Sequence, residues 1–139
     1  MAEGILRRMA EEKGLKWEID SAGTERFHIG EQAHPLTRKI CAENGIDVSA
    51  HRARQLSTSD FENFDLLFSL ATDVHEEMED FAPDDPAMKR VRHFMDLIEP
   101  GKKLSVPDPW YGTEKDYHLV FEILSRGCEK FMKQQLKTL

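Results

Sequence analysis

MAEGILRRMAEEKGLKWEIDSAGT, residues 1–24, contains the change of period that decides the fold. Ala2, Ile5, Leu6 and Met9 stand at i, i+3, i+4 and i+7, one face of a helix, and Gly14 supplies its stop. Lys16-Trp17-Glu18-Ile19-Asp20 then alternates polar with apolar, the period of a short strand, and Ser-Ala-Gly-Thr turns the chain. A helix passing at once into a strand is half of an α/β unit. The helix itself lacks a beginning: no Ser, Thr, Asp or Asn precedes Ala2 to accept from its first free N–H groups.

Outward from there the alternation continues. Pro35 suits the first turn of a second helix, with Leu36 and Ile40 on one face and Asn44-Gly45 as its left-handed end. Ser59 with Glu62 three residues on reads as a capping box for a short helix around Phe61. Asp65 to Ala71 (DLLFSLA) is an apolar run of strand length. Thr72 to Phe81 follows as a polar helix broken by Pro83-Asp-Asp-Pro86, and Val91 to Phe94 is a third, weaker strand. After the turn at Pro100-Gly101 and the irregular SVPDPWYG, Tyr117, Val120, Phe121, Leu124, Cys128 and Phe131 mark the apolar face of a long last helix that Thr113 and Asp116 can cap. Strands alternating with helices predict an α/β fold with a parallel sheet covered by helices and joined by right-handed crossovers. The 139 residues predict one domain spanning 1–139.

The formal charge of −7, with Lys and Arg dispersed among acids, excludes a broad surface for nucleic acid but leaves room for local capture of a small anion by N–H groups and a guanidinium. Two cysteines make no disulfide framework, no apolar run approaches a membrane span, and no signal peptide opens the chain. The expectation is a reduced, cytoplasmic protein.

Asp108, between Pro107 and Pro109 and beside Trp110 and Tyr111, is the most informative site candidate. The prolines stiffen a loop holding a carboxyl next to two aromatic faces; such a carboxyl suits a general acid, and the rings suit a flat substrate. The competing reading is an Asp-Pro turn whose aromatics close the end of the core. The six histidines show no metal-ligand spacing: His75-Glu76-Glu77 lacks the second histidine of the zinc-protease pattern. Cys41 and Cys128 fall within helices, where packed thiols are inert. No metal and no cofactor is expected.

Taken in order and spacing, MAEGILRRMAEEKG, DSAGT followed by IG, NGIDVSAHRARQL, DFENFDLLFSL and VPDPWYGTEKDYHLVFEIL resemble the low-molecular-weight protein-tyrosine phosphatases over the whole chain. The resemblance implies a three-layer sandwich whose parallel sheet has four strands, the first of them central and absent from this sequence. It implies hydrolysis of phosphotyrosine or another aryl phosphomonoester through a phosphocysteine intermediate. By motif match Asp108 is the acid that protonates the leaving phenolate and later deprotonates the attacking water, Trp110 and Tyr111 line the substrate cleft, and Phe27 is its opposite wall. Ser21 and His51 match residues that brace the phosphate loop by hydrogen bonds.

The family's loop has the form Cys, five residues, Arg, Ser, Pro, and leads directly into the equivalent of Met-Ala-Glu-Gly. Its cysteine is the nucleophile, its arginine the phosphate clamp, and its Ser-Pro the missing start of the first helix. The expectation is therefore an N-terminally truncated phosphatase, inactive in this form. Leu70-Ala71 stands where the family commonly has Met-Asp, removing the usual carboxylate partner of His51 and predicting a different orientation for that ring. Ala33-His34-Pro35-Leu36 replaces a common Pro-Asp-Pro-Arg. Partners implied are a phosphotyrosyl protein or small aryl phosphate and, with the loop, phosphate-like anions, with no nucleic acid and no membrane. A non-catalytic interaction module, which could borrow a strand from a homodimer, and an arsenate reductase stand as alternatives. The latter is disfavoured by DPWYG and by the lack of cysteines in 68–78.

Overall fold

The computed structural model describes residues 1–138. Helix α1 runs Ala2–Glu12 and, as its sequence foretold, begins at Met1 with no side-chain cap. It ends where Gly14 adopts φ +67°, open to glycine without strain. Gly4 is buried in its first turn because a Cβ there would stand 2.8 Å from Val48 Cγ1 and 3.0 Å from Ile46 Cγ2. That close approach seats α1 on the segment that leads to His51.

Helix α2, Pro35–Glu43, starts with its proline and closes at Gly45 (φ +76°). The predicted capping box of α3, Asp60–Asn63, does not form: Ser59 has helical backbone angles, and its hydroxyl meets that of Ser57. The Asp60 carboxylate instead closes the preceding turn, accepting from the Ser57 N–H at 2.9 Å. Helix α4, Thr72–Glu77, continues into a 3₁₀ turn at Met78–Asp80. The stretch predicted as a break then begins a further helix, α5, Asp85–Lys89. Asp84 caps it through the Ala87 N–H at 2.8 Å and Pro86 occupies its first turn, where a missing N–H costs nothing. Helix α6, Glu114–Thr138, is the longest element.

Strands β1, Leu67–Ser69, and β2, Val91–His93, pair in parallel in the register Leu67–Val91, Phe68–Arg92 and Ser69–His93. The first predicted strand, Lys16–Asp20, is corrected: among the described residues it makes no ladder, and the only pairing nearby is an isolated parallel bridge between Gly23 and Gln55. Alternation supplies a strand's two faces but not its hydrogen-bond neighbour. Among the described residues β1 is paired on one side alone, and the Ile19 carbonyl accepts instead from the Arg7 guanidinium at 2.7 Å. The result is α/β with a small parallel sheet flanked by helices.

The periodicity of α6 is fulfilled in the main core, where Val120, Leu124, Cys128 and Phe131 pack with Ile5, Phe94 and Leu97. Phe94, in a 3₁₀ turn at Phe94–Leu97, lays its ring over Gly127, where any Cβ would collide with it. A second core of Phe61, Met78, Ala87 and Val91 lies on the sheet's other face, the one that carries Leu67 and Val91. Among the described residues no helix is long and apolar enough to cross a membrane.

Candidate active site

The loop from Lys102 to Thr113 leaves the second 3₁₀ turn and crosses the carboxyl end of β1, the edge at which open parallel sheets place their ligands. It is tied there. The Val106 N–H donates to the Leu70 carbonyl at 2.7 Å, and the Ser105 hydroxyl accepts from the Thr72 N–H at 2.9 Å. At its far end the Asp116 carboxylate accepts from the Thr113 N–H at 2.8 Å and from the Thr113 hydroxyl at 3.2 Å, closing α6 onto the loop. Between these ties stand Asp108, Trp110 and Tyr111.

Asp108 is exposed, and its Oδ1 accepts from the Trp110 N–H at 3.0 Å. The carboxyl thus faces solvent with a fixed orientation rather than lying buried against the rings. Trp110 is 40% exposed and Tyr111 98%, so these aromatics do not close the core end. That runs against one half of the competing reading, closure of the core, while the Asp108–Trp110 hydrogen bond is the local turn that its other half expected. Phe27 is 82% exposed on the turn that precedes α2. Its neighbour His28 stands 5.0 Å from the Trp110 ring, centroid to centroid, which brings the Phe27 turn and the acid loop together. Phe27 and Tyr111 themselves have no ring partner among the described residues.

Ser21 and His51 converge on one residue that the sequence reading missed. Glu3, in the first turn of α1 with a side chain only 10% exposed, accepts from the Ser21 hydroxyl at 2.7 Å, pairs with Arg7 at 3.0 Å and faces His51 Nδ1 at 3.7 Å. His51 therefore has a carboxylate neighbour after all, supplied by α1 rather than by the strand end at Ala71. The only sequence signal was an acid in the first turn of a helix, where it is common for reasons of charge alone.

Beneath the tied loop, the Ser69 hydroxyl meets His75 Nδ1 at 2.7 Å, and the His75 and His93 rings stack at 3.9 Å and 14°. Burial and then the neighbouring His93 push His75 below the ordinary imidazole value. His93 Nδ1 is buried without a hydrogen-bond partner among the described residues. Both cysteines are free and buried; burial raises the Cys41 thiol and carries that of Cys128 to about 12. Neither lies open to a substrate. One group of metal-capable side chains, Glu43, Glu114 and His118, lies on the surface between α2 and α6, and Lys39 already holds Glu114 at 2.8 Å.

A family model for low molecular weight phosphotyrosine protein phosphatases matches residues 1–138. A low molecular weight phosphotyrosine protein phosphatase of Schizosaccharomyces pombe is 37% identical over 136 residues, covering 96% of this chain and 86% of its own. The low molecular weight protein-tyrosine-phosphatase YfkJ of Bacillus subtilis is 31% identical, covering 95% and 84%. A protein tyrosine phosphatase crystal structure from Entamoeba histolytica, with Hepes in its active site, superposes with a TM-score of 0.87 at 33% identity, covering 99% of this chain and 89% of that one.

Proposed function

Because this chain belongs to the low molecular weight phosphotyrosine protein phosphatase family, we propose that it serves the hydrolysis of phosphotyrosine and related aryl phosphomonoesters, with Asp108 as the proton donor and acceptor. The carrying observation is an exposed carboxylate oriented by the Trp110 N–H among open aromatic surfaces of the same loop. A phenyl ring enters between Trp110, Tyr111 and Phe27. Asp108 gives its proton to the phenolate oxygen as the P–O bond breaks, then takes one from the water that attacks the phosphoenzyme.

The chemistry also needs a thiolate to form the S–P bond and a guanidinium to hold the phosphoryl oxygens. Cys41 and Cys128 are excluded by burial and their raised thiols. A Cys-x5-Arg-Ser-Pro loop is the natural source, and no such stretch occurs in the 139 residues. Glu3, with Ser21, Arg7 and His51 gathered about the first turn of α1, is the brace on which such a loop would rest. Residues 1–139 alone are thus proposed not to turn substrate over. The two free cysteines accord with a reducing compartment such as the cytoplasm.

The test compares phenyl phosphate hydrolysis by the 139-residue chain with that by the same chain joined, ahead of Met1, to a strand and loop of that form. Turnover is expected only in the joined protein, and Asp108→Asn lowers it about 10²–10³-fold. An Asp108→Asn variant as fast as its parent would overturn the assignment. A joined protein that retains phosphotyrosyl peptides without cleaving them would favour the interaction-module reading.

A further inference from the structure

His34 stands at the N-cap of α2, where Asp, Asn or Ser is usual. Its Nδ1 accepts from the Leu36 N–H at 3.1 Å, which leaves the ring's other face free and fixes its plane to the helix. That ring is used twice more. It stacks on Tyr117 with centroids 4.9 Å apart and planes 24° from parallel, and it meets Trp110 edge-on at 5.0 Å and 70°. Tyr117 is 2% exposed, and its hydroxyl donates to the Trp110 carbonyl at 3.4 Å. The Trp110 N–H in turn orients Asp108. From a helix end to the exposed carboxylate there is a continuous series of contacts, passing through both the ring and the backbone of Trp110.

His28 touches the same indole at 5.0 Å, but its own partner is the exposed Glu31 on the same surface turn, at 2.8 Å. A partner on the same exposed turn moves with it. A backbone N–H in the first turn of a helix does not, so of the two imidazoles His34 is the one with a rigid footing.

We propose that His34 is a positioning residue for the acid loop: its imidazole, held by the cap of α2, sets Trp110 and through it the carboxylate of Asp108. The structural half of this proposal stands on the contacts alone; the catalytic half rests on the reading of Asp108 as proton donor. A cap is common to many side chains, whereas the wall for Trp110 requires the ring. Two substitutions separate the roles. His34→Asn keeps an acceptor for the Leu36 N–H and removes the ring; His34→Phe keeps a ring and removes the acceptor.

The 139-residue chain is labelled with 5-fluorotryptophan, which reports only Trp17 and Trp110, and the Trp110 fluorine line is assigned by its loss in Trp110→Phe. In His34→Asn the Trp110 line is expected to move toward the position of the free amino acid and to sharpen, with the Trp17 line and the melting temperature unchanged. In His34→Phe the line is expected to return part of the way. A Trp110 line in His34→Asn identical to the parent's would overturn the proposal. So would a shift in the Trp17 line of equal size, which would mean general loosening of the fold.

In the loop-bearing protein, His34→Asn is expected to lower kcat/KM about tenfold for phenyl phosphate and only about twofold for p-nitrophenyl phosphate, whose leaving group needs less help from an acid. Equal losses on the two esters would remove Asp108 from the end of the series. Absence of turnover in the parent loop-bearing protein would sink the phosphatase reading, while the fluorine spectra would still decide the placement of Trp110.

Discussion

Phe94 and Phe131 each meet Phe68 edge-on within the main core, whereas Phe27 and Tyr111 stand largely in water and Trp110 is 40% exposed. Both groups are aromatic, and they are held differently. In the first, each ring is held by other rings; in the second, Trp110 is held by two imidazoles and its own backbone, and Tyr111 by nothing aromatic. Rings left exposed forgo the stabilisation that burial would give them, about 1.5–3 kcal/mol for a large apolar side chain. In the proposed phosphatase, what they gain is a flat surface for the ring of the substrate.

The sharpest way to break this contrast is to truncate one member of each group. Phe131→Ala is expected to cost about 3–5 kcal/mol in urea unfolding, since it leaves a cavity among fixed neighbours, while Tyr111→Ala is expected to stay within about 0.5 kcal/mol. A Tyr111→Ala loss of comparable size would mean the rim is part of the core. Next in size is Gly127→Ala. Alanine should favour the helix by about 1 kcal/mol, yet the Phe94 ring occupies the site of the new methyl. A net destabilisation of about 1–2 kcal/mol is expected from overpacking, and a stabilised variant would show that Phe94 yields freely.

Arg54→Ala tests a polar counterpart of the core. Arg54 forks onto Asp60 at 2.9 and 3.1 Å, and although burial opposes its charge, hydrogen bonds from Arg54 and Ser57 hold the Asp60 carboxyl below the ordinary range. Asp60 has a nearly buried side chain while that of Arg54 is 36% exposed, so solvent screening limits the expected loss to about 1–2 kcal/mol at neutral pH. A depressed carboxylate contributes its stability above the ordinary aspartate value and loses it as pH falls through the folded one. The Arg54→Ala deficit should therefore shrink in acid.

The smallest expected effect concerns His75. Its folded value lies below the ordinary imidazole value, so on acidification the unfolded chain takes the proton first. Stability should decline as pH falls from about 6.5 toward the lowered folded value, and this part of the decline should vanish in His75→Leu. Parallel pH curves for the two proteins would contradict the assignment.

Helices α1, α2 and α6 were legible because each repeats its own evidence, whereas the start of α5 was read as a break. Six apolar positions agree on one face of α6, and Pro35 and Gly45 mark both ends of α2. The acid loop was legible too, as a stiff Asp between prolines beside two rings. Pairing was not: Trp17 and Ile19 alternate as a strand does, but a ladder depends on a neighbour that periodicity cannot supply. Local competition was also hidden, as at Ser59, whose hydroxyl turns to that of Ser57 while Asp60 takes the Ser57 N–H two residues earlier. Glu3 and His28 escaped notice, and His34 stood out only as a departure from the family's usual residue, for a related reason. Each acts through a contact with a residue distant in sequence or at a turn, and none belongs to a pattern that spacing alone reveals.

The two ties of the acid loop, Val106 to Leu70 and Thr113 to Asp116, have a consequence for time rather than for place. Residues 107–112 span the interval between them, where the contacts of Trp110 add a further hold, and Pro107 and Pro109 remove much of the torsional freedom that remains. So short a segment has little entropy to lose when a ligand settles, and it relaxes as a surface loop does, in nanoseconds to microseconds, without the slower rotation of a hinged domain. Exchange of ligand at Asp108 is then expected to be gated by diffusion and by the ligand's own grip, with the loop already waiting in place.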